Sequence, residues 1–451
     1  MSPTLTTARS FPVGPPLSKG SSPSGSMLQS FFAQAAIFFL PLPAMKYTST
    51  TITVADLFLV PAILMNLGYA LQRVHAFQIP LLLAFPLLLL SHLLDPDAQL
   101  IPVLQVCYLW GFLVPFGWCA FVNVPLRRIA LLLLAANGIS SVVAIVQFVG
   151  YLPPLPTQHI IIFKSALRRA AGLTLQCNTL SMALTPCFLL LPYLPRVWPR
   201  IVTCLLLMLG FITTVSKSMI MAGPGLLFYF LWREPQKWRL IQATAVLVGL
   251  VMFGLHLRGN APLEVWDLVN DAAAHRLDYA DHSFEERSDL VRIALEYSKD
   301  CLLLGYGSEG TQLRISQASG NTVHVFYLGL VVIAGYPAAI LIVLGFLLIC
   351  ANLWRQREYN VAIYVVAHML SLTVMTVLYL SFQTAPFLIA ASVMVANDMR
   401  AKQARHAFPK RAPLSRASTQ TASASIPPEA SRPGDHVAEV FRSTPNRASI
   451  S

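Results

Sequence analysis

An all-α polytopic membrane protein, with about 12 transmembrane helices and one large helical loop facing away from the cytoplasm, is the fold class this sequence predicts. Three observations predict it. The 451 residues are 55% hydrophobic and only 12% charged, with mean hydropathy +0.61, where a soluble domain carries about 25% charged residues. The apolar runs recur at roughly the 20-residue length that crosses the hydrocarbon core. One long polar stretch, residues 258–322, interrupts them.

Residues 1–27 are rich in Ser, Pro and Gly and read as a disordered cytoplasmic tail, with the first span as an uncleaved signal-anchor. Leu42 at the minus-three position is too large for cleavage near Ala44. The first nine spans fall within 28–257, near 28–44, 52–72, 77–94, 99–121, 128–150, 172–193, 199–216, 218–232 and 239–257. Gly223-Pro224-Gly225 is expected to interrupt the eighth. Three more lie within 323–398, near 323–353, 361–381 and 384–398. Residues 399–451 form a basic Ser, Pro and Ala-rich tail with too few large apolar groups to fold.

Orientation follows from the basic residues of the short loops. With the N-terminus inside, inner loops hold Arg73, Arg127, Arg128, Arg196, Arg200, Arg233, Lys237, Arg239, Arg355 and Arg357, and the tail starts Arg400, Lys402. The outer loops Leu94–Gln99 and Ser381–Thr384 hold none. Both termini are therefore expected in the cytoplasm. The formal charge of +12 is spread in these short clusters, which fits anionic membrane lipids rather than nucleic acid. Six of the seven cysteines lie in apolar runs and only Cys301 in the large loop, so no intraloop disulfide forms, and no metal-ligand spacing appears.

The large loop reads as a small folded cap. Pro262 opens a helix through Val265, Trp266 and Val269. Ser283 and Glu286 make a capping box for a second helix, whose Leu290, Ile293, Ala294 and Tyr297 share one face and which Gly305 and Gly307 stop.

Charges that break the positive-inside pattern carry the functional signal. They are Lys164, Arg168 and Arg169 in loop 151–171, Lys217 at an outer turn, and Arg258, Arg276, Arg287, Arg292 and Arg314 in the large loop. A lone outer arginine also serves as a headgroup anchor. Three outer segments each supplying cations indicate instead a basic pocket for phosphate or another polyanion. Thr174, Asn178 and Ser181, at helical spacing, are expected to share a polar face of the sixth span. His324, where the large loop re-enters the membrane, is the natural base near neutral pH. His282 competes but reads as part of a helix cap.

Four stretches in order resemble the O-antigen polymerase and O-antigen ligase superfamily: Arg168-Arg169-Ala170-Ala171-Gly172 through Asn178; Val215-Ser216-Lys217-Ser218; Arg287 leading to Leu304-Gly305-Tyr306-Gly307; and Val323-His324 followed by Gly335. The resemblance spans roughly 165–340. It departs at Lys217, where the family commonly has arginine, and at Val325, where it has asparagine.

The resemblance implies metal-independent transfer of a saccharide from an undecaprenyl-diphosphate carrier at the periplasmic face of the bacterial inner membrane. No cofactor is implied. His324 would be catalytic, and Arg169, Lys217, Arg287, Asn178 and Arg168 would bind the lipid-linked oligosaccharide. A flippase and a chain-length regulator would be partners. Polymerisation of repeat units into exopolysaccharide or O-antigen is the first reading. Ligation of glycan to lipid A core or protein is the second. A polysaccharide or lipid-linked glycan transporter is the alternative of a different class.

Reporter fusions after Arg233 and Arg357 should read as cytoplasmic, and those within Ala272–Gln317 as periplasmic. A cytoplasmic signal from the large loop would overturn the orientation.

Overall fold

The computed structural model describes residues 23–43, 52–148, 151–155, 158, 169–214, 216–234, 237–239, 241–243, 245–246, 249, 288–319, 326–372 and 381–407. The helix through Val265, the Ser283–Glu286 capping box, Arg168, Arg287, His324 and most of the ninth span lie outside them. Contacts within the chain group Met1–Ala401 as one unit and Lys402–Ser451 as another.

Every regular element among the described residues is helical. In order they are α1 (Pro23–Phe39), α2 (Val54–Leu64), α3 (Leu67–Gln72), α4 (Gln78–Leu93), α5 (Leu100–Ala120), α6 (Leu126–Phe148), α7 (Cys177–Leu184), α8 (Val197–Thr214) and α9 (Lys217–Arg233). After these come α10 (288–298), α11 (Gly307–Ser319), α12 (Phe326–Ala334), α13 (Tyr336–Arg355), α14 (Tyr359–Leu372) and α15 (Ser381–Ala407). Helices α5, α6, α8 and α13 are long and apolar enough to cross a membrane, and α2, α4 and α14 are shorter apolar helices. This is the architecture of a polytopic membrane protein.

The outer faces of these helices are as apolar as their inner ones. On α13, Ile340, Leu344 and Leu347 are exposed while Ala338, Ile342, Phe346 and Ile349 are buried. Water would not tolerate that first face, whereas lipid does. Lipid tails are as apolar as leucine, so close packing must hold the helices together. Accordingly Phe346 stacks on Phe387 with ring centroids 3.6 Å apart, and Gly210 of α8 lies directly against Ser141 of α6.

One end of the bundle gathers expected inner-loop residues. Arg200 pairs with Glu234 at 2.8 Å, Arg233 lies 6.0 Å from the Tyr359 ring, and Gln356 donates to Asp398 at 2.8 Å. Tyr69 meets Trp118 and Met399 there too.

Several elements differ from the sequence reading, each for a local reason. The second span breaks after Leu64 and resumes at Leu67 as α3. The sixth is helical only from Cys177, and after Leu184 it tightens into a 3-10 stretch, Thr185–Tyr193, bounded by Pro186 and Pro192. Thr174 therefore lies before the helix, and the expected Thr174–Asn178–Ser181 face does not form. The eighth runs unbroken through Gly223-Pro224-Gly225 as α9. The tenth splits at Gly335 into α12 and α13. Gly307 ends nothing: it opens α11, a helix absent from the sequence reading.

The cap has its own core. Leu290 and Ala294 of α10, on the face the spacing predicts, are buried with Ile315 of α11 and Val332 of α12, flanked by Ile293, Tyr297 and Tyr306. Cys301 lies beneath, 1% exposed, with burial pushing its thiol up to about 11, Asp300 adding to the rise and Arg314 opposing it.

Gly335 has φ of +85°, and a Cβ there would meet the Leu303 carbonyl oxygen at 2.5 Å. Gly335→Ala should cost about 1–3 kcal/mol from backbone strain, before the clash is counted. Gly138, mid-helix with nothing within 4 Å of a Cβ, should accept alanine with a gain of up to about 1 kcal/mol. Unfolding midpoints of the detergent-purified variants check both, and equal midpoints would show that the break at Gly335 is unimportant.

Candidate functional site

The site begins with the way α8 ends. The last carbonyls of a helix have no partner within it. Here the Thr213 and Thr214 hydroxyls donate back to Gly210 O and Phe211 O, each at 2.7 Å. The carbonyls of Thr213 and Thr214 themselves are met from another segment. Ala170 N–H donates to Thr213 O at 3.1 Å, and Arg169 Nε–H to Thr214 O at 3.1 Å. A second arm of the same guanidinium, Nη2–H, donates to Asn178 Oδ1 at 3.0 Å. That oxygen also accepts from the Ser216 hydroxyl at 3.1 Å. Arg169 is 6% exposed and Ser216 1%.

The bend carrying Arg169 is fixed by polar side chains of α6. Gly172 sits at φ of +58°, where a Cβ would meet Ser140 Oγ at 2.6 Å. Its N–H donates to Gln147 Oε1 at 2.9 Å, and Leu173 N–H to Ser140 Oγ at 2.9 Å. Gln158 closes the ring, accepting from Gln147 at 3.0 Å and donating to Gly172 O at 2.7 Å and Thr174 O at 2.8 Å. Thr174 Oγ–H itself bonds Ala171 O at 2.7 Å. It holds the bend rather than facing a cavity.

Two of the four sequence stretches, 168–178 and 215–218, thus meet through Arg169, Asn178 and Ser216. Lys217 is the first residue of α9, directly after Ser216. The third and fourth stretches meet each other. Tyr306 N–H donates to Val332 O at 2.9 Å and Tyr336 N–H to Cys301 O at 3.2 Å. Leu303 lies under Gly335. Gly305 N–H reaches Ser91 Oγ at 3.2 Å. Arg168, Arg287 and His324 are outside the described residues.

Sequence reasoning missed Thr214, Ser140, Gln147 and Gln158. Thr214 contributes its backbone carbonyl, which no residue type signals. The two glutamines lie on either side of a loop whose path the sequence does not fix. Among the described residues no three His, Cys, Asp or Glu side chains converge as a metal-ligand set.

Residues 202–343 match the family described as O-antigen ligase, so the resemblance to the O-antigen polymerase and ligase superfamily stands. Members of that family are glycan-transferring enzymes. The matched range takes in Val215–Ser218, Leu304–Gly307, His324 and Gly335, and excludes Arg168–Asn178. The Arg169 bond to Thr214 O joins that excluded stretch to the matched segment. Among curated proteins no match to the chain is found.

Asn178→Leu should cost about 1.5–3 kcal/mol, the worth of a hydrogen bond to a charged group, because it removes an acceptor from a buried guanidinium. Asn178→Asp keeps that acceptor and should stay nearer wild type. Thermal unfolding in detergent would show it, and an Asn178→Leu midpoint equal to wild type would remove Asn178 from the arrangement.

Proposed function

We propose that the chain transfers a saccharide from undecaprenyl diphosphate to a sugar hydroxyl at the outer face of the bacterial inner membrane, joining lipid-linked repeat units into exopolysaccharide or O-antigen. The observation that carries this reading is the Arg169–Asn178–Ser216 junction. It joins a buried guanidinium through Asn178 to Ser216, the residue before Lys217, where two stretches similar to the superfamily converge.

The chemistry needs few parts. The acceptor hydroxyl oxygen attacks the anomeric carbon as the bond from that carbon to the diphosphate oxygen breaks. Undecaprenyl diphosphate leaves with the bonding electron pair, and the hydroxyl proton passes to the base. A diphosphate leaves readily once cations stabilise its developing charge. Arg169, Lys217, Arg287 and Arg168 supply that charge, with Asn178 orienting Arg169. His324, as neutral imidazole, takes the proton. Both termini are cytoplasmic in this reading, because the Arg200, Arg233 and Arg355 end then faces the anionic inner leaflet.

A second reading has support of its own. The matched family is described as O-antigen ligase, which favours transfer of finished glycan to lipid A core or protein. The two reactions share donor chemistry and differ only in acceptor.

Purified full-length protein given lipid-linked repeat units should elongate them, and a chain-length ladder distinguishes polymerase from ligase. A positioned base contributes about 10²–10⁴-fold, so His324→Ala should nearly abolish elongation while donor binding persists, and added imidazole should restore part of the rate. Near wild-type elongation by His324→Ala would rule the base out. Arg169→Ala should weaken donor use more than tenfold, the equivalent of losing about 1.5–3 kcal/mol.

A further inference from the structure

We propose that the cleft between the Leu94–Gln99 loop and α11 is a saccharide-binding site, taking a neutral, hydroxyl-rich unit of the glycan substrate. The proposal rests on the glycan-transfer reading above and adds a place where sugar, rather than diphosphate, is held.

The cleft encloses about 310 Å³ and is lined by Leu94, Asp95, Asp97, Tyr306, Arg314 and Gln317, among others. That is the small end of ligand cavities, which run from about 300 Å³. Its walls are built rather than accidental. Asp95 is 6% exposed and ties them together, accepting from Gly310 N–H of α11 at 2.8 Å and from Asp97 N–H of its own loop at 3.0 Å. These residues are some 215 positions apart in sequence. Tyr306 is held through its backbone to Val332 and through its hydroxyl to Asp300 Oδ2 at 3.2 Å. The Arg314 guanidinium lies over its ring, 4.1 Å from the centroid.

The cleft thus joins a stacked tyrosine–arginine pair to an exposed carboxylate and an exposed amide. Asp97 accepts hydrogen bonds, Arg314 donates them and Gln317 does both. Leu94 supplies an apolar surface. A sugar ring presents the matching set: hydroxyls that donate and accept, and an apolar C–H face. The charge argues against a diphosphate. Asp95 and Asp97 stand against one guanidinium, so the cleft lacks the net positive field a polyanion needs.

The test uses the full-length protein in cells lacking their own copy. Leu313→Cys, at a half-exposed lining position that offers the sugar no polar contact, places a thiol in the cleft for a membrane-impermeant maleimide. The native Cys301 does not compete, because it is buried and its thiol, raised to about 11, stays protonated at neutral pH. Oligosaccharides released by mild acid from the host's own polysaccharide should slow labelling about tenfold at about ten times their dissociation constant. Inorganic pyrophosphate should not slow it, and Asp97→Ala should remove the protection. Labelling unaffected by oligosaccharide, or slowed equally by pyrophosphate, overturns the proposal. If polysaccharide is lost in His324→Ala while oligosaccharide gives no protection, the cleft alone fails. Full protection with unchanged polysaccharide in His324→Ala removes the catalytic reading instead.

Discussion

The carbonyls at the end of α8 set the terms for the site. In a bilayer no water reaches such groups, and each one left unsatisfied is costly. Ala170 and Arg169 meet the last two, Thr213 O and Thr214 O, while the Thr213 and Thr214 hydroxyls donate back to Gly210 O and Phe211 O. Because Arg169 is one of those partners, its position is fixed by the same requirement that ends the helix. The negative end of a helix dipole also favours a cation there. A buried guanidinium that would otherwise be expensive becomes part of how α8 terminates.

The same requirement organises the other irregular backbone. The bend at Gly172 is met by Ser140, Gln147 and Gln158, and the stretch after Cys301 by Ser91 and Asp95. In each case polar side chains from another segment pair with backbone groups that have no partner within a regular helix. Irregular backbone within a membrane bundle persists only where protein or a water-lined cavity covers it. Such segments are also where side chains are free to converge, which is why the superfamily-like stretches coincide with them.

The legible part of the sequence was what composition and period encode. Apolar runs gave the helices, and the Leu290–Tyr297 spacing gave the buried face of α10. Arg169 was legible as a candidate because it breaks the positive-inside pattern, and Asn178 as a polar residue of the sixth span, but the bond between them was not. Breaks and continuations were less so. Gly-Pro-Gly at 223–225 does not break α9, whereas a lone Gly335 divides α12 from α13. The difference lies in what surrounds each: the Leu303 carbonyl lies against Gly335, a contact more than thirty residues away in sequence. Thr174 misled because the sixth span reads as helical from 172, five residues before the helix begins at Cys177. Asp95 was invisible as a partner of α11, since α11 itself was not foreseen.

On the proposed reading, the cations divide the labour. Arg169 spends two arms on Thr214 O and Asn178 Oδ1, so its guanidinium plane is set before any substrate arrives. Preorganised charge of this kind needs no rearrangement when negative charge develops on a leaving group. A flexible lysine, a compact point charge on a long stem, suits the complementary task of following that charge. Lys217 begins α9, whose N-terminal amides carry the positive end of its dipole. On the proposed reading, then, substituting lysine for the family's arginine at 217 loses bidentate recognition but not charge. The fixed fork at Arg169 supplies the orientation that Lys217 lacks.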